Sequence, residues 1–158
     1  MTTVELSRAE RQVVLGVAYG LSFQSIASRL AMRLEAVRGL MALAKGKLGD
    51  RDMPDAAAIE RAYKAGALPD PPPDGMPVRL TPSQITLVWL VSLGMTIQEI
   101  VIRSAVPAAT VERDLVALCA AVGAQSPPHL ITRARQLRIP YHRRLPHPAR
   151  SSRRRATV

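Results

Sequence analysis

The sequence predicts an all-α protein made of two tandem four-helix units, and two observations lead to this prediction. Aromatic residues form only 3% of the 158 residues, so the packing must rely on aliphatic residues, Met and Ala, of which Ala and Leu are strong helix formers. The second observation is an internal repeat. The stretch GLSFQSIASRLAM, residues 20–32, aligns without a gap with GMTIQEIVIRSAV, residues 94–106.

Each copy opens with residues that start a helix. SRAE at residues 7–10 and TPSQ at residues 81–84 have the form of a capping box, in which a hydroxyl and a carboxylate or amide satisfy free backbone amides. Gly20 and Gly94 follow, where a left-handed residue ends the first helix. We expect a short second helix, a turn, a longer third helix and then a fourth.

The fourth helix is predicted to begin after a proline in each copy. The alignment that pairs Gly20 with Gly94, which we call the repeat register, also pairs Pro54 with Pro128. The resulting division has four parts: residues 1–68 as the first helical domain, 69–79 as a Pro-rich linker, 80–140 as a divergent second domain and 141–158 as a basic, disordered tail. The linker, PDPPPDGMPVR, is predicted to be a stiff, extended spacer, with a PxxP ligand as the alternative.

The net charge of +10 points to a polyanionic partner. The charge is uneven, with +3 in residues 1–66, −1 in 67–79, +2 in 80–140 and +6 in the last eighteen residues. The most economical interpretation of the tail is a flexible arm that strengthens attraction to phosphates. The alternatives are nonspecific DNA binding, RNA binding and a solvated tail without a role. The arginines concerned are Arg143, Arg144, Arg153, Arg154 and Arg155.

Other chemistries find little in the sequence. The single Cys119 excludes an internal disulfide, and the three histidines do not share ligand spacing with it, so no metal and no cofactor are expected. There is no phosphate loop or nucleophile motif, and we expect no enzymatic activity. The polar N-terminus does not resemble a signal peptide, and the apolar run of residues 85–97 is too short to cross a bilayer. A cytoplasmic location is therefore predicted.

The second and third helices of each copy are predicted to form a helix-turn-helix, whose third helix can enter a DNA major groove. In the first copy, Val37, Met41, Ala44 and Leu48 recur at helical spacing and should pack inward. The outward face would then combine small residues with cations, which suits close approach to phosphates. Its members are Arg38, Gly39, Ala42, Lys45 and Gly46, with Lys47 at the edge. The alternative is that the glycines serve helix–helix contact.

LSRAERQVVLGVAYGLSFQSIASRLAMRLEAVRGLMALAKGKLGDRD resembles the DNA-binding domain of LuxR/GerE-type transcription regulators. The matching residues are Leu6, Ser7, Glu10, Gly20, Leu21, Ser22, Ile26, Ala27, Leu30, Val37, Arg38, Lys47, Leu48 and Gly49. The resemblance implies a four-helix fold in which Arg38, Gly39 and Lys45 fall where family members touch DNA. Arg33, which is also assigned to DNA contact, stands where the family usually has Ser or Thr. Base-reading Asn and Gln are missing from the outward face. Phosphate binding is therefore better supported than sequence reading.

The second copy keeps the inward face, with Val111, Leu115, Leu118 and Val122, but changes the outward one. Glu112 and Asp114 would repel phosphates, although Arg113 retains a cation for DNA. Val116 and Cys119 are expected to form a contact surface for another part of the chain or another molecule. Since the family commonly pairs subunits through the fourth helix, Ile59, Tyr63, Leu130 and Leu137 are assigned to a homodimer contact or to an internal pseudo-dimer.

Two functions remain open on the sequence. In the first, the chain is a bacterial, nucleoid-associated DNA-binding protein, a transcriptional regulator that holds duplex DNA with the third helix of the first copy and the basic tail. In the second, it is an interaction module that uses the helix-turn-helix fold to bind another regulator or an RNA polymerase subunit.

Overall fold

The structure is a computed structural model and describes residues 3–142. Over that range the chain forms eight α-helices and no strand, so the all-α prediction is confirmed. The helices are α1 (Arg8–Ala18), α2 (Phe23–Leu30), α3 (Leu34–Leu48), α4 (Asp55–Lys64), α5 (Pro82–Ser92), α6 (Ile97–Ser104), α7 (Ala108–Val122) and α8 (Pro127–Gln136).

The predicted caps are present at the first helix of each copy. The hydroxyls of Ser7 and Thr81 accept from the backbone amides of Glu10 and Gln84, whose side chains accept in turn from the cap amides. At the second helix, Thr96 forms a complete capping box, whereas the hydroxyl of Ser22 accepts from one amide alone. Local sequence therefore sets where these four helices begin.

The internal repeat is visible in the helix boundaries. Residues 6–68 are called repeat 1 and residues 80–140 repeat 2. The first three helices of repeat 2 begin and end at the positions that the repeat register pairs with the ends of α1, α2 and α3. The fourth helix departs from this register, because α8 begins at Pro127, whereas the register pairs the first residue of α4 with His129.

The loop before the last helix explains this departure. Pro54 directly precedes α4, while Ser126 holds that place before α8 and Pro128 lies within its first turn. The predicted pairing of Pro54 with Pro128 is therefore wrong, because repeat 2 has a shorter loop before its last helix.

The two repeats pack against each other through their fourth helices. α4 contacts α8 along its length, α1 also contacts α8, and α5 contacts α4. Ile59 and Leu130 are fully buried in this region, and the hydroxyls of Tyr63 and Thr132 lie 2.8 Å apart. The buried apolar residues of both repeats form one continuous core.

The glycine turns after α1 and α5 complete this contact. Gly20 has φ +86° and Gly94 has φ +81°, conformations that side chains with a Cβ rarely adopt. A Cβ at Gly20 would lie 2.7 Å from Nδ1 of His129, and one at Gly94 would lie 2.9 Å from the Cβ of Ala57. Each repeat thus uses a glycine to bring its turn against the fourth helix of the other repeat.

The linker contains no helix, as predicted, but it lies against α8 instead of crossing open solvent. The carboxylate of Asp70 lies 3.2 Å from the Arg135 guanidinium, and that of Asp74 lies 3.7 Å from Arg133. Pro71 is buried, whereas residues 72–77 are exposed and leave the PxxP alternative open. Proline rigidity and these ion pairs together define the path of the linker.

None of the eight helices alone has the length and apolar character to cross a membrane. Within residues 3–142, one pair of helices, α7 and α8, has the required length and apolar character when taken together, but the two helices are bent by 42° with respect to each other.

Candidate nucleic-acid interface

The inward face of α3 is built as the sequence predicts. Val37, Met41, Ala44 and Leu48 are all buried, and the helix packs on α1, α2 and α4 of its own repeat. α7 is related to it by the repeat and packs on α5, α6 and α8. The opposite face of α3 is therefore turned away from these supporting helices.

Two glycines of α3 have open space beside them. A Cβ built at Gly39 or at Gly46 meets no heavy atom within 4 Å in the described part of the chain, apart from the helix's own nearby backbone. Within residues 3–142, therefore, no other helix packs against these glycines. Each glycine still costs about 1 kcal/mol of helix stability relative to Ala, and no internal packing offsets that cost.

Arg33 and Arg38 are exposed cations in the first part of α3. Arg33 is the N-cap residue of α3 and forms no side-chain capping bond, while Arg38 lies one turn into the helix beside Gly39. Neither arginine forms an ion pair within residues 3–142. Glu35 is exposed on the same turn of α3, and its negative charge offsets part of the positive charge of the two arginines.

Lys45 and Lys47 are placed differently from the prediction. The ammonium of Lys45 lies 2.5 Å from the Asp55 carboxylate, and its side chain is only 15% exposed. The ammonium of Lys47 lies 2.9 Å from the carboxylate of Glu10. The reason is that α4 begins and α1 passes beside the last turns of α3, so carboxylates from both helices neutralise the lysines. Ala42 is half-buried.

Glu10 is held in its charged form by this arrangement. Burial opposes ionisation of its carboxylate, but the hydrogen bonds from Lys47 and from the Ser7 amide outweigh burial and lower its pKa. One side chain therefore completes the cap of α1 and attaches α1 to the end of α3.

The matching face of α7 differs in charge and polarity. Glu112, Arg113 and Asp114 are exposed, and Val116 is 70% exposed. Cys119 is half-buried, and burial raises the pKa of its thiol. Ile102 on α6, which is 83% exposed, was not singled out from the sequence, although the repeat register pairs it with the exposed Ser28.

The fourth helices bring the expected contact residues together inside one chain. Ile59, Tyr63 and Leu130 are buried between the repeats. Leu137 is half-buried and faces the linker, since a Cβ at Gly75 would lie 3.2 Å from it. These residues are therefore occupied by internal packing.

A buried carboxylate that sequence reasoning missed lies at this contact. Glu60 on α4 accepts a hydrogen bond of 2.5 Å from the Tyr141 hydroxyl and lies 2.5 Å from Nε2 of His142. Its carboxylate is also 3.2 Å from Arg135 on α8. Burial opposes ionisation of Glu60, yet the bonds from Tyr141 and His142 and the charge of Arg135 lower its pKa below the usual range. We call these four residues the Glu60 cluster.

Two arginines of α8, Arg133 and Arg135, are held by internal contacts. Arg133 donates to the carbonyl oxygens of Val122 and Asp74, and Arg135 binds Glu60 and Asp70. Arg135 also lies over the ring of Tyr63 at 4.8 Å from the centroid. Their role in this structure is to join α8 to the linker and to repeat 1.

The tail arginines lie outside the described residues, namely Arg143, Arg144, Arg153, Arg154 and Arg155. Within residues 3–142, no group of three or more His, Cys, Asp or Glu side chains is placed to hold a metal ion. In comparisons with known proteins, the chain matches no protein-family model, no curated protein and no solved structure.

Proposed function

We propose that the chain is a DNA-binding protein of the LuxR/GerE type, a bacterial regulator that holds duplex DNA with α3. The observation that carries this proposal is the open outward face of α3. Within residues 3–142, no side chain or other helix lies against Gly39 or Gly46, and the exposed Arg33 and Arg38 lie at the N-cap and on the first turns of the same helix. A helix smoothed by glycines and bordered by cations lets a phosphate backbone approach closely.

The contact is assigned to the N-terminal half of α3. Arg33 and Arg38 lie in that half, where the helix dipole adds partial positive charge. Lys45 and Lys47 lie in the other half and are already neutralised by Asp55 and Glu10. We assign these lysines to the support of α3, since the carboxylates beside them leave little attraction for phosphates.

Repeat 2 is assigned a supporting role. Contacts between α4 and α8 fix the two repeats to each other as an internal pseudo-dimer would require. The exposed carboxylates Glu112 and Asp114 make α7 a poor match for DNA, so one chain presents one DNA-contacting helix. Tyr141 and His142, the first two residues of the predicted tail, belong to the Glu60 cluster. The basic residues that follow are proposed to add nonspecific attraction.

The salt dependence of DNA affinity tests this assignment. Fluorescence anisotropy with labelled duplex DNA is measured across a salt series for the full chain, Arg38→Ala and the matched repeat 2 variant Arg113→Ala. Losing one phosphate contact lowers the slope of log affinity against log salt by about 0.9. We expect that change for Arg38→Ala and none for Arg113→Ala.

A chain ending at residue 142 completes the series. We expect it to bind more weakly than the full chain, and to remain sensitive to Arg38→Ala. Identical behaviour of Arg38→Ala and Arg113→Ala in both lengths of chain would contradict the proposal.

The second candidate function is a protein-interaction module, and the outward side of repeat 2 favours it. Val116 and Ile102 are highly exposed apolar side chains, and acidic residues accompany Val116 on α7. An exposed apolar residue such as Val116 on α7, the helix that corresponds to the recognition helix, suits a protein partner better than DNA. Failure of the full chain to bind duplex DNA at low salt would favour this second function.

A further inference from the structure

A cleft lies between α1 and α2 of repeat 1, and none of the residues that line it belongs to α3. Its volume is about 310 Å³, and its lining is mainly apolar, with Leu15, Tyr19 and Leu30 among the contributors. Leu15 is 40% exposed and Tyr19 is 39% exposed. This volume is at the lower end of the range for ligand sites, which fits one aromatic side chain.

Repeat 2 shows what occupies the same place in the duplicated copy. Trp89 and Leu90 stand where repeat 1 has Leu15 and Gly16, and Arg103 stands where repeat 1 has Arg29. The guanidinium of Arg103 lies over the Trp89 ring, 5.4 Å from its centroid. Repeat 2 therefore supplies its own aromatic ring and its own cation at this position.

Repeat 1 keeps the cation and lacks the ring. Arg29 and Gln12 line the cleft, so a ring entering it would meet the residue that matches Arg103. Gly16 also lines the cleft and lets Ile26 of α2 come close, because a Cβ at Gly16 would lie 2.8 Å from that side chain. Tyr19 also lines the cleft, but within residues 3–142 no ring lies against Arg29 as Trp89 lies against Arg103.

The charge around the cleft indicates what should carry that group. Arg8, Arg11 and Arg29 are exposed on α1 and α2, and Arg8 lies one turn before Gln12 on its helix. The only carboxylate of these two helices is Glu10, which is buried and bound to Lys47. An acidic segment would therefore meet complementary charge, whereas a basic one would be repelled.

We propose that this cleft binds an aromatic side chain, with Trp the best fit, carried by an acidic segment of a partner protein. The ring would lie under Arg29 as Trp89 lies under Arg103, and flanking carboxylates would face the arginines of α1 and α2. An aromatic side chain seated in an apolar pocket with a charged surround is a common way to anchor a protein contact. This site is separate from the proposed DNA contact on α3.

The test uses a capped synthetic peptide, Asp-Asp-Trp-Asp-Asp, added to the full chain labelled with ¹⁵N. We expect saturable amide shifts centred on Leu15, Tyr19 and Arg29. Versions of the peptide with Ala in place of Trp, or with Asn in place of every Asp, should lose most of the effect. Equal shifts from the Ala peptide, or shifts centred elsewhere, would overturn the proposal.

Variants provide the matched controls, since the two repeats offer equivalent arginines. Arg29→Glu should raise the peptide Kd about tenfold, while Arg103→Glu should change it by less than about twofold. Leu15→Trp supplies the missing ring and should abolish binding in a chain that remains folded by circular dichroism. Equal effects of the two arginine variants would contradict the assignment.

Duplex DNA separates this proposal from the proposed function. A short duplex should leave peptide binding unchanged, because α3 and the cleft present different surfaces. Displacement of the peptide by DNA would overturn the separate site. Loss of peptide binding in Leu15→Trp with unchanged DNA affinity would support it, whichever residues bind DNA.

Discussion

At the scale of single residues, glycine is used in two opposite ways. Gly20 and Gly94 have positive φ and make close contacts, so the fold requires them. Gly39 and Gly46 are helical and face open space, so the fold does not require them. The second kind is the informative one, because a residue that lowers stability without serving the packing points to a function outside the fold.

Replacing Gly39 by Ala tests that inference. We expect the free energy of unfolding to rise by about 1 kcal/mol, because Ala favours the helix and the added Cβ meets nothing. DNA affinity should fall, because the Cβ would stand between the helix and the phosphates. Urea denaturation and anisotropy measure the two effects, and a stabilised variant with unchanged affinity would remove the reason given for the glycine.

The contact between Gly20 and α8 yields a prediction of opposite sign. Left-handed strain alone should cost Gly20→Ala roughly 1–2 kcal/mol of stability. We expect a larger loss, because the added Cβ would also meet His129. Gly66→Ala is the matched control, because Gly66 has φ +70° and its nearest neighbour would be 3.8 Å away. Urea denaturation of both variants measures the difference, and equal losses would show that the contact with α8 contributes nothing.

At the scale of helices, the sequence predicts where elements begin better than which side chains meet. Capping residues and the repeat register define the first three helices of each repeat, since the caps are local signals and the register compares one copy with the other. The Glu10–Lys47 pair and the Glu60 cluster were missed because each joins segments that are distant in sequence. Charge alone does not indicate which of many lysines and arginines will lie beside a given carboxylate.

The register of the fourth helix failed for a related reason. Pro54 and Pro128 are identical in the repeat register, but α8 begins and ends earlier than that register requires. A proline suits the first turn of a helix as well as the position before it. Identity of one such residue therefore does not establish structural equivalence.

Glu60→Gln tests the buried cluster that joins α4 to α8. We expect the free energy of unfolding to fall by about 3 kcal/mol. The reason is that Arg135 would keep its charge in a buried site without an opposite charge from α4. Asp70→Asn is the control on the same guanidinium, and the 81% exposure of Asp70 predicts a loss below about 1 kcal/mol. Urea denaturation at pH 7 compares them, and similar losses would contradict the assigned importance of Glu60.

The same cluster predicts the direction of the pH dependence. Because the pKa of Glu60 is lower in the folded chain than its usual value of 4.5, its charge favours folding at higher pH. This contribution should be lost as pH falls through the lowered pKa of the folded chain and the carboxylate becomes protonated. Glu60→Gln should therefore show a weaker loss of stability between pH 7 and pH 3, measured by thermal unfolding, and an unchanged profile would contradict this contribution.

At the scale of the whole molecule, the duplication produces one folded body with two different outward surfaces. The continuous core and the contacts among α1, α4, α5 and α8 predict that both repeats unfold together. Calorimetry should show a single transition whose van't Hoff and calorimetric enthalpies agree. Two separate transitions would mean that the repeats are independent domains.

The central proposal is that α3 of repeat 1 contacts DNA and that α7 of repeat 2 does not. An NMR titration with duplex DNA tests this proposal most directly. The full chain, labelled with ¹⁵N, is titrated at about 150 mM salt, where attraction between distant charges is screened. We expect amide shifts at Arg33, Arg38 and Gly39, with Glu112 and Val116 unaffected. Shifts centred on α7, or confined to residues 143–158, would contradict the assignment of DNA binding to α3.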